Sequence, residues 1–281
     1  MPPIMPPIMP LPATARPTLT PEEAGEIAGT AAAMAEAARE ETLPRFRAAG
    51  LDVANKAAEG FDPVTEADRA AEAAMRAVLD ARRPGDAIHG EELGRRAGET
   101  GLTWVIDPID GTRAFLCGAP TWGTLIAVTD AHGPVYGVID QPFTGERWVG
   151  GLGTAEWRRG GAERPLATRA TADLAQARLC STFPEIGTAE ERAAFERLSA
   201  RVPLTRYGLD CYAYGLLAAG AVDLVVEAGL GAYDICAPIA VIEAAGGVVT
   251  DWQGRPAHGG GQVLAAANRR LHAAALEALA V

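Results

Sequence analysis

The stretch Trp104-Val105-Ile106-Asp107-Pro108-Ile109-Asp110-Gly111-Thr112 decides how the chain is to be read. An apolar run ends in an aspartate and a proline follows. A second aspartate comes three residues after the first, and Gly-Thr opens what reads as a helix. Leu102–Ile106 is therefore expected to be a short strand stopped by Pro108. Two carboxylates joined by a stiff Pro-Ile cannot move far apart, and close like charges are costly unless a cation lies between them. Hard oxygen donors at a strand end suit Mg²⁺. The amides of Gly111 and Thr112, at the start of the next helix, would face the same place and form an anion site. A dication site beside an anion site suits a phosphate ester. Asp-Pro and Asp-Gly are also common turn formers, so the neighbouring segments carry weight.

Two further acidic groups flank this stretch. Gly90-Glu91-Glu92 follows a short strand expected at Ala87–His89, and Asp234 stands at a strand-to-helix junction in Ala232-Tyr233-Asp234-Ile235-Cys236. Taken alone, Glu91 fits a solvated loop and Asp234 a helix N-cap. Asp68 alone fits the capping partner of Thr65.

Further out, the chain alternates between helix and strand. Thr20-Pro21-Glu22-Glu23 is an N-terminal helix signature, and an alanine-rich helix is expected to reach Phe46. A second helix should run from Thr65 to just before Pro84. Thr121–Thr129, Pro134–Ile139 and Arg147–Gly151 read as antiparallel strands. Residues 153–174 look polar and irregular, and mark a subdomain boundary. Beyond it come strand Arg178–Ser181, helix Thr188–Ala200, helix Cys211–Ala219 and strand Val222–Glu227. Helix Asp234–Ala245, strands Gly247–Asp251 and Gln262–Ala266, and helix Asn268–Leu279 complete the pattern. Interleaved helices and strands give an α/β or α+β class with helices layered on sheets. The expected organisation is a Pro-rich disordered tail over 1–19, an α+β subdomain over 20–155 carrying most acidic ligands, and an α/β subdomain over 156–281 carrying Asp234 and the substrate pocket.

Composition narrows the function classes. The chain has 281 residues, 36 Asp and Glu against 25 Lys and Arg, and a formal net charge of −11. That balance argues against phosphate-backbone binding and against docking on an anionic membrane, so neither nucleic acid nor membrane is an expected partner. No apolar run is long enough to span a bilayer. Cys117, Cys180, Cys211 and Cys236 are scattered, which fits free thiols in a reducing cytoplasm.

Four segments, Phe61-Asp62-Pro63-Val64-Thr65-Glu66-Ala67-Asp68, Gly90-Glu91-Glu92, Trp104–Thr112 and Tyr233-Asp234, resemble in order and approximate spacing the signature segments of the inositol monophosphatase superfamily. The resemblance covers the chain from about Thr20 to its C-terminus. It implies a layered αβαβα fold of the sugar-phosphatase type, a Mg²⁺-dependent, Li⁺-sensitive phosphomonoesterase with two or three ions per site, and a homodimer. Carried over by position, Glu91, Asp107, Asp110, Asp234 and the Ile109 carbonyl would be metal ligands. The Gly111 and Thr112 amides would hold the phosphate. Thr112 and Asp68 would be the hydroxyl–carboxylate pair that orients the attacking water, with Glu91 a further catalytic group.

Substrate choice lies in the leaving-group pocket. The run Gly208-Leu209-Asp210-Cys211-Tyr212-Ala213-Tyr214 looks like the histidinol-phosphate phosphatase branch, as do Val222–Leu230, Pro120–Ala127 and Gly137–Pro142. The second glycine usual in that branch's segment is Leu209 here. Asp210 and Glu227 are then the substrate-binding carboxylates. The resemblance implies hydrolysis of L-histidinol phosphate in histidine biosynthesis, a substrate whose ammonium would pair with an extra carboxylate. Inositol 1-phosphate or a broad range of sugar phosphates is the alternative within the family. A weakly catalytic protein-binding member is the alternative outside it. Asp210 also fits an N-cap on the helix that follows it.

Overall fold

The computed structural model describes residues 19–49, 53–55 and 63–280. Residues 1–18 of the expected 1–19 tail and the Phe61-Asp62 part of the first signature lie outside them. Helix α1 (Pro21–Thr42) starts at the predicted capping box, in which Thr20 Oγ1 accepts from the Glu23 amide and Glu23 accepts from the Thr20 amide. It ends four residues short of the expected Phe46, because Pro44 cannot continue it. Strands β1 (Val53–Asn55) and β2 (Pro63–Thr65) form a small ribbon leading into α2 (Glu66–Arg82). The Thr65–Asp68 capping box at the head of α2 is present as expected.

An eight-stranded sheet follows. Its strands are β3 (Ala87–Gly90), β4 (Gly94–Arg96), β5 (Thr103–Asp110), β6 (Gly123–Asp130), β7 (Gly133–Gln141), β8 (Glu146–Gly151), β9 (Thr154–Arg159) and β10 (Ala162–Pro165), with helix α3 (Thr112–Cys117) between β5 and β6. Their spatial order is β10-β9-β8-β7-β6-β5-β3-β4, and only the β3–β5 pair is parallel. The stretch 153–174, expected to be irregular, contains β9 and β10. They close one end of the sheet, β10 as the edge and β9 next to it, and neither holds a fully buried residue, so their sequence lacks a clear alternating pattern. The expected division at 155/156 falls inside β9.

The second half supplies β11 (Arg178–Ser181), α4 (Ala189–Ser199), β12 (Leu204–Tyr207), α5 (Tyr212–Ala218), β13 (Leu224–Leu230), α6 (Ala232–Ala244), β14 (Val248–Thr250), β15 (Gly261–Ala266) and α7 (Arg269–Leu279). The five strands order as β12-β11-β13-β15-β14.

Period-two alternation sorts the core into layers. From β5, Trp104 and Ile106 pack against α1 and α2 with Ile27, Met34 and Met75. Val105, on the opposite face, joins α5 and α6 with Leu217, Ile235 and Val241. Val225 and Val263 close that middle layer from the second sheet, while Leu224 and Leu264 face α4 and α7 on its far side. The result is the expected αβαβα sandwich. Helix α6 lies unusually close to the first sheet because Gly137 and Gly150 have no side chains there. A Cβ on Gly137 would sit 2.4 Å from the Ala237 carbonyl oxygen, and one on Gly150 2.4 Å from Val241 Cα. That contact sets where the first turn of α6, carrying Asp234, meets the end of β5. No helix among the described residues is long and apolar enough to cross a membrane, and the four cysteines are free thiols.

Candidate active site

Strand β5 does not stop at Pro108. It runs to Asp110, and its ladder with β6 shifts register between Asp107 and Asp110. The irregularity falls where the proline lacks an N–H, so no ladder bond is lost. The distorted segment is pinned from both sides. Thr124 Oγ1 donates to the Pro108 carbonyl at 2.8 Å, and the Ile109 amide donates to Asp107 Oδ1 at 3.0 Å. The shift turns both aspartates toward α6. Carboxylate oxygens of Asp107, Asp110 and Asp234 all lie within 4.8 Å of one another.

Asp234 reaches this point from the third position of α6. Its Oδ2 accepts from the amide of the cap residue Gly231 at 2.6 Å, a one-sided bond because glycine has no side chain to return it. Glu91 follows β3, with its amide bonded to the Ile106 carbonyl at 3.2 Å. Its side chain is close enough to bias the ionisation of Asp107 and Asp68. Glu72, a residue the sequence reading passed over, fixes that turn. Its buried carboxylate accepts from the amides of Glu92 (2.7 Å) and Leu93 (3.1 Å) and pairs with Arg76. The signal was present: Glu72 shares the buried stripe of α2 with Met75 and Leu79, where a carboxylate needs a reason to be.

The single hydroxyl proton of Thr112 is within reach of two acceptors, Asp68 Oδ1 at 3.4 Å and the Ile109 carbonyl at 3.2 Å. Asp68 is fully buried and held by the Thr65 amide (2.8 Å) and hydroxyl (2.5 Å). It therefore serves both as capping partner and as acceptor for Thr112. Gly111 precedes α3 with φ +83, in the left-handed region. A Cβ there would lie 2.9 Å from Asp210 Cβ, so glycine also makes room for that carboxylate.

Asp210 is not an N-cap by its side chain. The cap residue of α5 is Cys211, and no side-chain cap bond forms there. Asp210 itself has φ +45, a conformation Asp adopts more readily than most residues, and its Oδ2 accepts from Thr121 Oγ1 at 3.3 Å. The Cys211 amide donates instead to Asp110 Oδ2 at 2.7 Å. Asp210 thus stands between the metal-type cluster and Glu227. Glu227, 6% exposed on β13, accepts from the Thr182 amide (2.7 Å) and hydroxyl (2.9 Å). Thr121 and Thr182 were not singled out from the sequence, since lone threonines carry no signal without their partners. Arg113 stacks on Phe183 at 4.9 Å beside the same opening.

Electrostatics separates the two acidic groups. Burial pushes Asp107 well above the ordinary carboxylate range, reinforced by Glu91, Asp110 and Asp234. Burial does the same to Asp110, with Asp234 and Asp210 adding to it. Burial raises Asp210 to about 6 despite the bond from Thr121 and the charge of Arg113, and Glu227 to about 7 despite Thr182. Crowded, buried, oxygen-only donors whose ionisation is opposed from every side fit a hard divalent cation. The cluster of Asp107, Asp110 and Asp234, with Glu91 close enough to act on Asp107, thus suits a hard cation such as Mg²⁺.

The comparisons agree with this geometry. The profile of the inositol monophosphatase family matches residues 23–280. A bifunctional phosphatase IMPL2 of Arabidopsis thaliana is 42% identical over 220 residues, covering 78% of this chain and 62% of that protein's length. A histidinol-phosphatase of Streptomyces coelicolor is 37% identical over 246 residues, covering 84% of this chain and 90% of the relative. Among solved structures, an inositol monophosphatase from Zymomonas mobilis superposes with a TM-score of 0.80 at 38% identity, covering 94% of this chain and 100% of that one. The matched profile, the layered fold and the acidic cluster at the end of β5 together make this chain a member of the inositol monophosphatase family.

Proposed function

We propose that this phosphoric monoester hydrolase is a Mg²⁺-dependent phosphatase acting on L-histidinol phosphate. The observation that carries the reading is the second carboxylate pair, Asp210 and Glu227, beside the phosphate end of the site. A buried and a half-buried acid are more than a neutral polyol needs, and they match a leaving group with an ammonium and a protonatable imidazole. The relatives named histidinol-phosphatase in Streptomyces coelicolor and Mycobacterium tuberculosis support the same choice.

Glu91, Asp107, Asp110, Asp234 and the Ile109 carbonyl would hold the metal, two or three ions in all. Bound Mg²⁺ supplies neutralisation of the phosphate oxygens and acidifies water. The chain supplies the rest. The amides of Gly111 and Thr112 orient the phosphate. Asp68 accepts the Thr112 hydroxyl proton, which leaves the Thr112 lone pairs free to accept a proton from the attacking water. Asp210 and Glu227 pair with the cationic leaving group and align the scissile ester bond. The reading includes a cytoplasmic homodimer, as the family resemblance implies.

Phosphate release from L-histidinol phosphate, inositol 1-phosphate, fructose 1,6-bisphosphate and adenosine 3′,5′-bisphosphate is the direct test. A kcat/KM for histidinol phosphate at least tenfold above the others is expected. Equal rates on inositol 1-phosphate would instead support a broad sugar-phosphate phosphatase, a reading favoured by the inositol monophosphatase relatives from mycobacteria.

A further inference from the structure

Away from the acidic cluster, the first sheet leaves part of its inner face uncovered. Helix α6 packs on β5 to β9 of that face and reaches the β3–β4 edge through Tyr233, whose ring meets His89 edge-on at 6.0 Å. The uncovered area forms a cleft of about 530 Å³, closed on its other side by Ala232 and Cys236 of α6 and by the loop at His258. That volume lies in the range of small-molecule sites.

The polar groups in the cleft are mostly basic. Antiparallel register pairs His89 with Arg95, so both side chains stand on one face, beside Val105, which pairs with His89 across β5. His258 faces them from the opposite wall, its Nδ1 3.3 Å from where a Cβ on Gly133 would be. Arg96 lies at the rim and pairs with Asp80 behind the strand. Arg95 makes no ion pair with any described residue, in a chain whose acids outnumber its bases 36 to 25. The one carboxylate on the walls, Asp130, turns its Oδ1 to the His132 amide at 2.8 Å. Apolar walls with a few converging basic groups are the usual form of an oxyanion site.

We propose that this cleft is a second ligand site, separate from the phosphatase centre, for a small phosphate-bearing anion carrying at least two negative charges. Arg95 supplies the forked charge–hydrogen-bond contact, and His89 and His258 supply ring nitrogens on either side. The proposal does not depend on which phosphate ester the enzyme hydrolyses.

Stripping the protein of divalent ions makes the test clean. Without the divalent ions, Asp107, Asp110 and Asp234 offer no positive charge to a phosphate, so the active site is a poor competitor for the probe. Isothermal titration of pyrophosphate into metal-stripped protein at pH 7 should give one site per chain. Arg95→Glu should weaken binding at least about tenfold, and His258→Ala should weaken it less. Arg95 is exposed and its replacement should leave the melting temperature unchanged. If Arg95→Glu melts early, Arg95→Ala serves in its place, again with about tenfold weakening expected. Absence of binding, or binding that both Arg95 variants leave unchanged, overturns the proposal.

Discussion

Asp110 is held by the Cys211 amide and crowded by Asp234 and Asp210, so its charge is tolerated only when something neutralises it. Asp110→Asn keeps the shape and removes the charge. Turnover should fall at least ~10²-fold, the order seen when a developing charge loses its stabilising partner. The metal-free variant should melt higher than wild type, because like-charge repulsion is relieved, and Mg²⁺ should raise its melting temperature less. Near-normal kcat would remove Asp110 from the metal site. Asp210 gives a different signature. A hydrogen bond to a charged group contributes about 1.5–3 kcal/mol, roughly 10- to 150-fold in affinity. Asp210→Ala should lower kcat/KM by that order for histidinol phosphate and leave glycerol 2-phosphate nearly unchanged. Equal losses on both substrates would mean that Asp210 shapes the pocket rather than reading the leaving group.

Among the elements, the β5–α3 junction concentrates the constraints. The register shift in β5 turns Asp107 and Asp110 to one side, and Gly111 then turns the chain into α3 through a left-handed residue. Gly111→Ala adds a Cβ in a region that L-residues avoid, at a cost of roughly 1 kcal/mol. The same Cβ would meet the Asp210 side chain at 2.9 Å. The variant should lose activity on every substrate and melt a few degrees lower. A fully active, equally stable variant would show that the junction relaxes freely. Helix α2 acts at the same scale. Its Thr65–Asp68 capping box and buried Glu72 tie the Thr112 pair and the Glu91 turn to one rigid rod.

For the whole molecule, stability should depend on pH and metal together. In the folded chain Asp210 and Glu227 keep their protons up to about 6 and about 7, whereas the ordinary values are 3.8 and 4.5. Between those limits the folded state binds more protons than the unfolded one, so stability falls as pH rises. The contribution is complete below the ordinary carboxylate range and gone above about pH 7. Metal-stripped protein should therefore melt lower at pH 8 than at pH 5, and Glu227→Gln should flatten that fall. Adding Mg²⁺ at pH 8 should raise the melting temperature in a concentration-dependent way, because it binds only the folded site. A Glu227→Gln curve parallel to wild type would show that burial of Glu227 does not govern the slope.

The sequence by itself determined the layered class, the capping boxes at Thr20 and Thr65, and the closeness of Asp107 and Asp110. Each of these is written locally, as a period of apolar residues, a cap spacing, or carboxylates joined by a stiff Pro-Ile, whereas Asp234 and Glu91 were tied to that pair only by the family resemblance. It misjudged the end of β5, where Pro108 reads as a stop but sits at a register shift that needs no N–H. It also passed over β9 and β10, which at the end of the sheet bury too little to impose alternation. Only the tertiary structure decided that Asp210 is no side-chain cap and lies beside Gly111 and Thr121. A helix-end aspartate and a pocket aspartate look alike in one dimension, and the choice depended on Gly111, ninety-nine residues earlier, leaving room for its side chain. The roles of Glu72, Thr121 and Thr182 were decided in the same way, because each acts through a partner distant in the chain that packing alone brings near.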